Sequence, residues 1–266
     1  MSAGTAQGAR LVEERRGRVL LLTISNPAFR NALSPDVYRA AQPIFRDAAA
    51  DRTIGAIVLA GEGEHFCGGG NLNRLRAQRD LPPASQIESL DAFHAWILAM
   101  RECPKPVIAA VEGAAAGGGF SLALTCDLIV AAEDARFVMS YAKIGLSPDG
   151  GGSDSLAIAL APQAALEILL DAEPVPAARL HALGIVNRVV PRGAALGAAL
   201  EWADRLSRGP APAHAATKRL VHEARGHSRR AQLDAERDAF LECLYSEECG
   251  EGIAAFLQKR PPRFPA

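Results

Sequence analysis

The chain has 266 residues, of which 49% are hydrophobic and 22% are charged, and its formal net charge at pH 7 is -1. This composition is typical of a globular protein with enough apolar residues for a large core. Basic and acidic residues are interspersed, which argues against a nucleic-acid or membrane partner. The apolar runs are too short to cross a bilayer and the first residues lack an apolar signal segment, so we expect a cytoplasmic protein.

Apolar runs and helical periodicity predict alternating strands and helices. One helix is predicted at 34–50, where Ser34 precedes Pro35 as an N-cap does, and another at 86–102, where apolar residues recur every three or four positions. Pro43 is expected to kink or interrupt the first helix. Continuous apolar runs bounded by Gly, Pro or polar residues predict buried strands at 18–24, 55–61, 105–113 and 127–132.

This order of elements predicts an α/β core with right-handed crossovers. The stretch 76–86 contains two consecutive prolines and is predicted to be a loop. From about Gly193 the strand pattern stops and successive helical segments follow. We therefore divide the chain into a core at 11–192 and an all-helical carboxy-terminal region at 193–266, which we expect to pack on partner subunits.

Two of the predicted strands lead into clusters of three glycines, at 68–70 and 117–119. Neither cluster has the spacing of a nucleotide-binding loop. Glycine lets a backbone N–H approach a ligand, and the second cluster opens an apolar helix whose dipole favours negative charge. Close packing of helix on strand explains either cluster alone. If both lie at the ends of neighbouring strands, one amide from each can form an oxyanion hole for a carbonyl that becomes an enolate.

Segments along nearly the whole chain resemble the signature segments of the crotonase (enoyl-CoA hydratase/isomerase) superfamily. The resemblance implies a crotonase-type spiral of ββα units with an all-helical carboxy-terminal region, a homotrimer or homohexamer, and an acyl-CoA substrate. It implies no metal and no cofactor beyond the coenzyme A thioester itself. The segments are, in order, "NPAFRNALSP", "AIVLAGEGEHFCGGGNL", "KPVIAAVEGAAAGGGFSLALTCDLIVAAEDARF", "IGLSPDGGG", "GIVNRVVP", "ATKRL" and "EGIAAFLQKRPPRF".

The resemblance also implies the positions of an acyl-CoA site. The family's two oxyanion-hole amides correspond to Gly70 and Gly118. Its CoA-contacting positions lie in a loop after the first strand, in the segment that contains the first glycine cluster, and near the carboxy terminus. In this chain they correspond to Arg30, Ala32, Leu33, Gly68, Asn71, Leu72, Asn73 and Lys259.

Two departures from the family pattern bear on the reaction. Hydratases of the family position water with two glutamates, whose places are taken here by Ser121 and Tyr141, so we do not expect the two-carboxylate mechanism. Asp149 corresponds to the single catalytic aspartate of isomerases similar to ring-epoxyphenylacetyl-CoA isomerase. A lone carboxylate can move a proton from C2 to C4 of a 3-enoyl thioester. The Pro-Asp-Gly context also permits a plain turn or a helix cap.

A second branch of the superfamily leaves the choice open. Chlorobenzoyl-CoA dehalogenases use an aspartate at the position of Asp149 as nucleophile and a histidine as base, and His94 stands at the matching place. A helix histidine bonded to the backbone is the ordinary alternative. We predict an enoyl-CoA isomerase with Asp149 as acid/base and with His94 and Tyr141 lining the acyl pocket. The alternatives are a hydratase, an aspartate-nucleophile aryl-CoA hydrolase or dehalogenase, and a non-catalytic acyl-CoA binder.

Overall fold

The structure is a computed structural model that describes residues 8–265. Six strands form one sheet in the order β1-β2-β3-β4-β6-β9, and three short strands form a second in the order β5-β7-β8. In the six-stranded sheet β1 is antiparallel to β2, and all other neighbours are parallel. The strands are β1 (Arg10–Arg16), β2 (Val19–Ser25), β3 (Ala56–Gly61), β4 (Val107–Val111), β5 (Ala114–Ala116), β6 (Leu128–Ala132), β7 (Arg136–Val138), β8 (Val175–Pro176) and β9 (Arg188–Val190).

Helices cover the sheet on both faces. The helices α1, α3 and α4 bury apolar residues against one face, whereas α8 packs three alanines against the other. Burial on both faces explains why the central strands are continuous apolar runs. The helices are α1 (Pro35–Ala50), α2 (Leu72–Gln78), α3 (Pro83–Glu102), α4 (Gly118–Thr125), α5 (Gly152–Ala159), α6 (Pro162–Asp171), α7 (Ala177–Ala182), α8 (Ala195–Ser207), α9 (Ala211–Glu223), α10 (Arg229–Leu244) and α11 (Glu247–Leu257).

The long predicted elements are confirmed within a few residues, whereas the predicted interruption at Pro43 and the predicted loop at 76–86 are wrong. Helix α1 continues through Pro43. A proline removes only one backbone hydrogen bond, and α1 stays in place because it buries one apolar side against the sheet and α3. The stretch 76–86 is mostly helical, since α2 ends at Gln78 and α3 begins at Pro83. The backbone N–H of the first helical residue has no acceptor within the helix, so a proline at this position costs the helix no hydrogen bond.

The carboxy-terminal region is helical, as predicted from about Gly193, although α8 belongs to the cover of the main sheet. The helices beyond it leave large apolar side chains on the surface of the single chain, among them Phe240, Tyr245 and Phe256, which are 66%, 84% and 83% exposed. Within residues 8–265, no helix combines the length and apolarity that a bilayer-spanning helix needs.

Candidate active site

The two glycine turns lie against each other, which is the arrangement that an oxyanion hole built from both turns requires. Cys67 pairs with Ala115 in an isolated parallel bridge, and Ala116 donates its N–H to the Cys67 carbonyl at 2.9 Å. A Cβ atom at Gly69 would lie 2.5 Å from the carbonyl oxygen of Ala116 and 3.4 Å from the nitrogen of Gly118. Gly69 also has a φ of +87°, so no other residue type fits this contact without strain. The backbone of the first turn therefore lies directly beside the start of α4.

Each turn presents a backbone N–H that has no hydrogen-bond partner among residues 8–265. Gly118 is the first residue of α4, where a helical amide has no intrahelical acceptor. In the described part of the chain, neither the Gly70 N–H nor the Gly118 N–H donates to a backbone carbonyl. The neighbouring amides are engaged, since Gly68 donates to Arg30 at 2.7 Å and Gly69 donates to the Cys67 thiol at 3.4 Å. Two adjacent free donors can bind a carbonyl oxygen on which negative charge develops.

Asp149 is half-buried in the loop before α5, close to the start of α4. The Tyr141 hydroxyl donates a hydrogen bond to Asp149 Oδ1. The Ser121 hydroxyl donates to the backbone carbonyl of Asp149 at 2.8 Å and so holds the loop against α4. The N-cap of α5 is Gly151, and no side chain caps this helix. The helix-cap interpretation of Asp149 is therefore wrong, and its carboxylate is held by a phenol instead.

Both tyrosines near Asp149 remain protonated at neutral pH. The pKa of Tyr141 is raised far above its ordinary value, first by burial and then by the Asp149 charge and the hydrogen bond to it. The pKa of Tyr38 on α1 is likewise raised by burial and then by the Asp149 charge. Tyr141 is therefore a neutral phenol that donates a hydrogen bond to the Asp149 carboxylate.

Aromatic side chains from α1 and α3 form a wall over this loop. The Phe93 ring stacks on Tyr38 with ring centroids 4.9 Å apart. Gly150 has a φ of +58°, and a side chain there would collide with the Phe93 ring. A Cβ at Gly118 would lie 3.6 Å from the same ring. Neither Phe93 nor Tyr38 belongs to a motif, so the sequence did not identify either of them as a site residue.

The loop that contains Arg30, Ala32 and Leu33 is joined to the first glycine turn. Leu33 donates its N–H to the Gly69 carbonyl at 2.7 Å, and Arg30 accepts from Gly68. Between them Asn31 is fully buried with a φ of +56°, and its side-chain amide bonds backbone groups of two neighbouring segments. Asn31 was not singled out by the sequence, although asparagine is a residue that tolerates this backbone conformation.

The remaining predicted residues lie at the start of α2, on α3 and near the carboxy terminus. Asn71 caps α2 and accepts from the Asn73 amide at 3.0 Å, while Leu72 is exposed beside it. His94 is exposed on α3, with its ring centroid 6.5 Å from that of Phe93, and forms no hydrogen bond with residues 8–265. Among residues 8–265, His94 therefore also lacks the backbone hydrogen bond that its non-catalytic interpretation predicts. Lys259 is exposed just beyond α11. No cluster of His, Cys, Asp or Glu in the described chain could hold a metal ion.

Comparison with known proteins gives a consistent result. Residues 14–266 match a family model described as enoyl-CoA hydratase/isomerase. The 2,3-dehydroadipyl-CoA hydratase of Escherichia coli (strain K12) is 35% identical over 254 residues, which cover 96% of this chain and 98% of that protein. The 1,2-epoxyphenylacetyl-CoA isomerase of the same strain is 32% identical over 247 residues, covering 92% and 94%.

Solved structures are similar over the same length. The crystal structure of an enoyl-CoA hydratase from Polaromonas sp. JS666 is 49% identical and superimposes with a TM-score of 0.95, covering 96% of this chain and 100% of that chain. A putative enoyl-CoA hydratase from Streptomyces coelicolor A3(2) is 32% identical with a TM-score of 0.92, covering 99% and 97%. The two Escherichia coli relatives, a hydratase and an isomerase, are 35% and 32% identical to this chain, whereas the 49% identical structure carries the name of a hydratase.

Proposed function

The chain belongs to the enoyl-CoA hydratase/isomerase family of acyl-CoA enzymes with the crotonase fold, and we propose that within this family it is an enoyl-CoA isomerase with Asp149 as its acid and base. One observation carries the proposal. A half-buried carboxylate, held on one oxygen by a protonated phenol, lies near two adjacent amides without partners.

The reaction follows from these three groups. The thioester carbonyl of a 3-enoyl-CoA accepts hydrogen bonds from the N–H groups of Gly70 and Gly118, which makes the C2 protons more acidic. Asp149 removes one C2 proton, and the electron pair of that C–H bond delocalises to the carbonyl oxygen as an enolate. The same carboxyl group returns the proton at C4, so the double bond moves from C3–C4 to C2–C3.

Tyr141 orients the base. Its hydroxyl occupies Asp149 Oδ1, so Oδ2 is the oxygen left to take the substrate proton. The raised pKa of Tyr141 keeps its proton on the phenol while the carboxylate cycles between its two forms. The carboxylate is thereby held in one orientation during both proton transfers.

Hydration is the second candidate, and it is supported by the names of relatives such as the 2,3-dehydroadipyl-CoA hydratase. Ser121 and Tyr141 stand at the places of the two glutamates, and neither can activate water as a carboxylate does. Ser121 is fully buried and donates its hydroxyl to a backbone carbonyl, and Tyr141 is a neutral phenol. If this chain hydrates its substrate, Asp149 is the one of Asp149, Ser121 and Tyr141 that can act on the water.

We also propose that the protein is a homotrimer or homohexamer in the cytoplasm, with the CoA thioester as substrate and no resident cofactor. The apolar side chains exposed on α10 and α11 support the assembly, because monomers rarely expose such residues together. Sedimentation equilibrium of the purified protein tests it. A monomer mass at micromolar concentration would contradict the proposal.

The test of the reaction is proton NMR in deuterated water with 3-hexenoyl-CoA and crotonyl-CoA. We expect the wild-type protein to move the double bond of 3-hexenoyl-CoA with deuterium incorporation. Asp149→Asn should lose about 1000-fold in rate, within the range for a positioned acid or base. Asp154→Asn is the matched control, because Asp154 is an exposed carboxylate in the first turn of α5; it should retain full rate.

Other outcomes contradict the proposal in distinguishable ways. Hydration of crotonyl-CoA faster than double-bond migration would establish the second candidate. An aryl ester on Asp149, formed from chlorobenzoyl-CoA as the ring C–Cl bond breaks and chloride leaves, and detected by mass spectrometry, would establish the nucleophilic branch in which His94 is the base for its hydrolysis. Binding of both thioesters without deuterium exchange would indicate a non-catalytic acyl-CoA binder.

A further inference from the structure

The side-chain amide of Asn31 closes the tight turn 62–65, which leads into the first glycine turn. The two N–H groups of this fully buried amide donate to the Glu62 carbonyl at 2.9 Å and to the His65 carbonyl at 2.7 Å. These carbonyls belong to the first and the last residue of the turn. The amide oxygen accepts from the Asn26 N–H at 2.9 Å. A buried amide that is bonded on both sides holds its neighbours in one arrangement.

His65 forms a bond that a regular parallel ladder would not contain. Close to it, Cys67 donates to the Ala114 carbonyl at 3.0 Å, and the Cys67 carbonyl accepts from Ala116 at 2.9 Å. The bonds of a parallel pair are evenly spaced, so the Ala114 N–H would be expected to donate to the His65 carbonyl. That carbonyl accepts from Asn31 instead, and the Ala114 N–H donates to the His65 ring at Nδ1, at 3.2 Å.

The bonds of Asn31 and His65 connect the two glycine turns. The chain runs from His65 directly to Gly70, and from Ala114 through β5 to Gly118, and both paths are short. The His65 carbonyl and the His65 ring therefore fix the starting points of both paths relative to each other. Precise placement matters for the reaction, because a shift of about 1 Å in a catalytic group can cost about 100-fold in rate.

We propose that Asn31 and His65 are positioning residues of the oxyanion hole, and that their bonds fix the separation of the Gly70 and Gly118 amides. They act through the backbone and do not contact the substrate. This assignment rests on the proposed function for the place of the thioester carbonyl. It holds equally for double-bond migration and for hydration, because both reactions need a polarised thioester carbonyl.

Carbon-13 NMR of a bound saturated thioester tests the assignment without any reaction. Hexanoyl-CoA labelled at the thioester carbonyl should show a downfield shift of that carbon on binding to the wild-type protein, because two N–H donors polarise the carbonyl. We expect His65→Leu to reduce this shift, because the Ala114 N–H loses its acceptor. His65→Asn should restore most of it, because its side-chain oxygen can accept a hydrogen bond close to the place of Nδ1.

Kinetics with 3-hexenoyl-CoA gives a second measurement. We expect kcat of His65→Leu to fall about 10-fold, as for a small displacement of a catalytic donor. Its affinity for hexanoyl-CoA, measured by calorimetry, should change less than about 3-fold, because the lost interaction acts mainly in the transition state. Asn31→Gly should lower kcat about 100-fold. It removes the three side-chain bonds, whereas glycine adopts the φ of +56° found at Asn31 without strain.

Asn187→Ala is the matched control, and it should keep the wild-type kcat and carbonyl shift. Asn187 also bonds the backbone, since its side chain accepts from the Ile129 N–H at 2.7 Å. That bond lies at the amino end of β6, whereas the glycine turns follow the carboxyl ends of the parallel strands. Circular dichroism establishes that each variant is folded at the assay temperature.

Several results would overturn the assignment. One is an unchanged carbonyl shift and kcat in folded His65→Leu, and another is a His65→Asn variant as impaired as His65→Leu. Loss of hexanoyl-CoA affinity with an unchanged carbonyl shift would assign the two residues to CoA binding instead. A wild-type protein without a downfield shift would refute the oxyanion hole and the assignment with it. A wild-type shift without turnover of any enoyl-CoA would refute only the proposed reaction.

Discussion

Two partly buried aspartates of this protein, Asp127 and Asp149, differ in how completely they are paired. Asp127 Oδ2 accepts from Lys218 Nζ and from the Val107 amide, both at 2.8 Å, and its Oδ1 accepts from His222 Nε2 at 2.9 Å. Within residues 8–265 the Asp149 carboxylate accepts one hydrogen bond, which the Tyr141 hydroxyl donates to Oδ1. Both carboxylate oxygens of Asp127 therefore accept hydrogen bonds, whereas Oδ2 of Asp149 accepts none from residues 8–265.

The difference reflects the tasks of the two regions. Around Asp127, His222 in turn accepts from Arg101 at 2.7 Å, so the network joins α3, the start of β4 and α9. A buried charge that is fully paired stabilises a single arrangement of these elements. Around Asp149 a carboxylate oxygen and two amides have no partner among the described residues, and polar groups left unpaired in this way are typical of a site that binds a ligand. Incomplete pairing thus distinguishes the candidate active site from a structural network of similar composition.

The largest expected effect is on the free energy of unfolding, and it differs between substitutions of Asp127 and Asp149. Asp127→Asn leaves the Lys218 ammonium, 8% exposed, without its anion. We expect this variant to lose about 3 kcal/mol in free energy of unfolding, as when one partner of a buried ion pair is removed. Asp149→Asn should change that free energy by less than about 1 kcal/mol, because it removes no ion pair. Denaturant titration measures both, and similar losses in the two variants would contradict the distinction.

The second effect concerns the unpaired amide of Gly118. Gly118→Pro deletes this N–H at the first position of α4, where proline is compatible with a helix. We expect kcat to fall about 100-fold or more, as for other lost oxyanion donors. Gly118→Ala is the control, since its Cβ would meet Phe93 at an ordinary 3.6 Å and the N–H is retained. If Gly118→Pro and Gly118→Ala lose kcat equally, the added atoms cause the loss and the missing N–H does not.

A smaller effect is expected from the phenol that holds Asp149. Tyr141→Phe should lower kcat about 10-fold, the value of one hydrogen bond to a charged group. The pKa of Tyr141 is raised, so its proton stays in place through about pH 10 and the donor is present across the working range. The alkaline side of the pH–rate profile should therefore be the same in wild type and variant. A wild-type loss near pH 10 that disappears in Tyr141→Phe would contradict this.

The smallest effect is expected at Ser121, which bonds the backbone of Asp149 and not its carboxylate. Ser121→Ala should cost about 1 kcal/mol of stability, and kcat should fall only a few-fold. Thermal unfolding and steady-state kinetics measure the two quantities. A loss of activity as large as that of Asp149→Asn would mean that Ser121 contacts the substrate.

Sequence reasoning found those parts of the fold and site that depend on local pattern. The long buried strands and helices α1 and α3 were predicted because their apolar spacing is regular. Strand β1 was missed because it is an edge strand whose residues are almost all exposed, so it has no apolar run. The sequence identified two glycine turns after predicted strands, but only the structure shows that the two turns lie against each other. Asn31, Tyr38 and Phe93 were missed because each acts through contacts with distant segments.

The sequence by itself determined the family, the α/β class, and the placement of Gly70, Gly118 and Asp149 in the chain, because motifs and apolar periodicity are local properties of residues. Only the tertiary structure decided which oxygen of Asp149 is occupied, which amides are left unpaired, and which side chains face them. Pairing is a property of atoms brought together from separate elements. An aspartate in the sequence is therefore part of a structural ion-pair network at one position, Asp127, and a candidate base at another, Asp149.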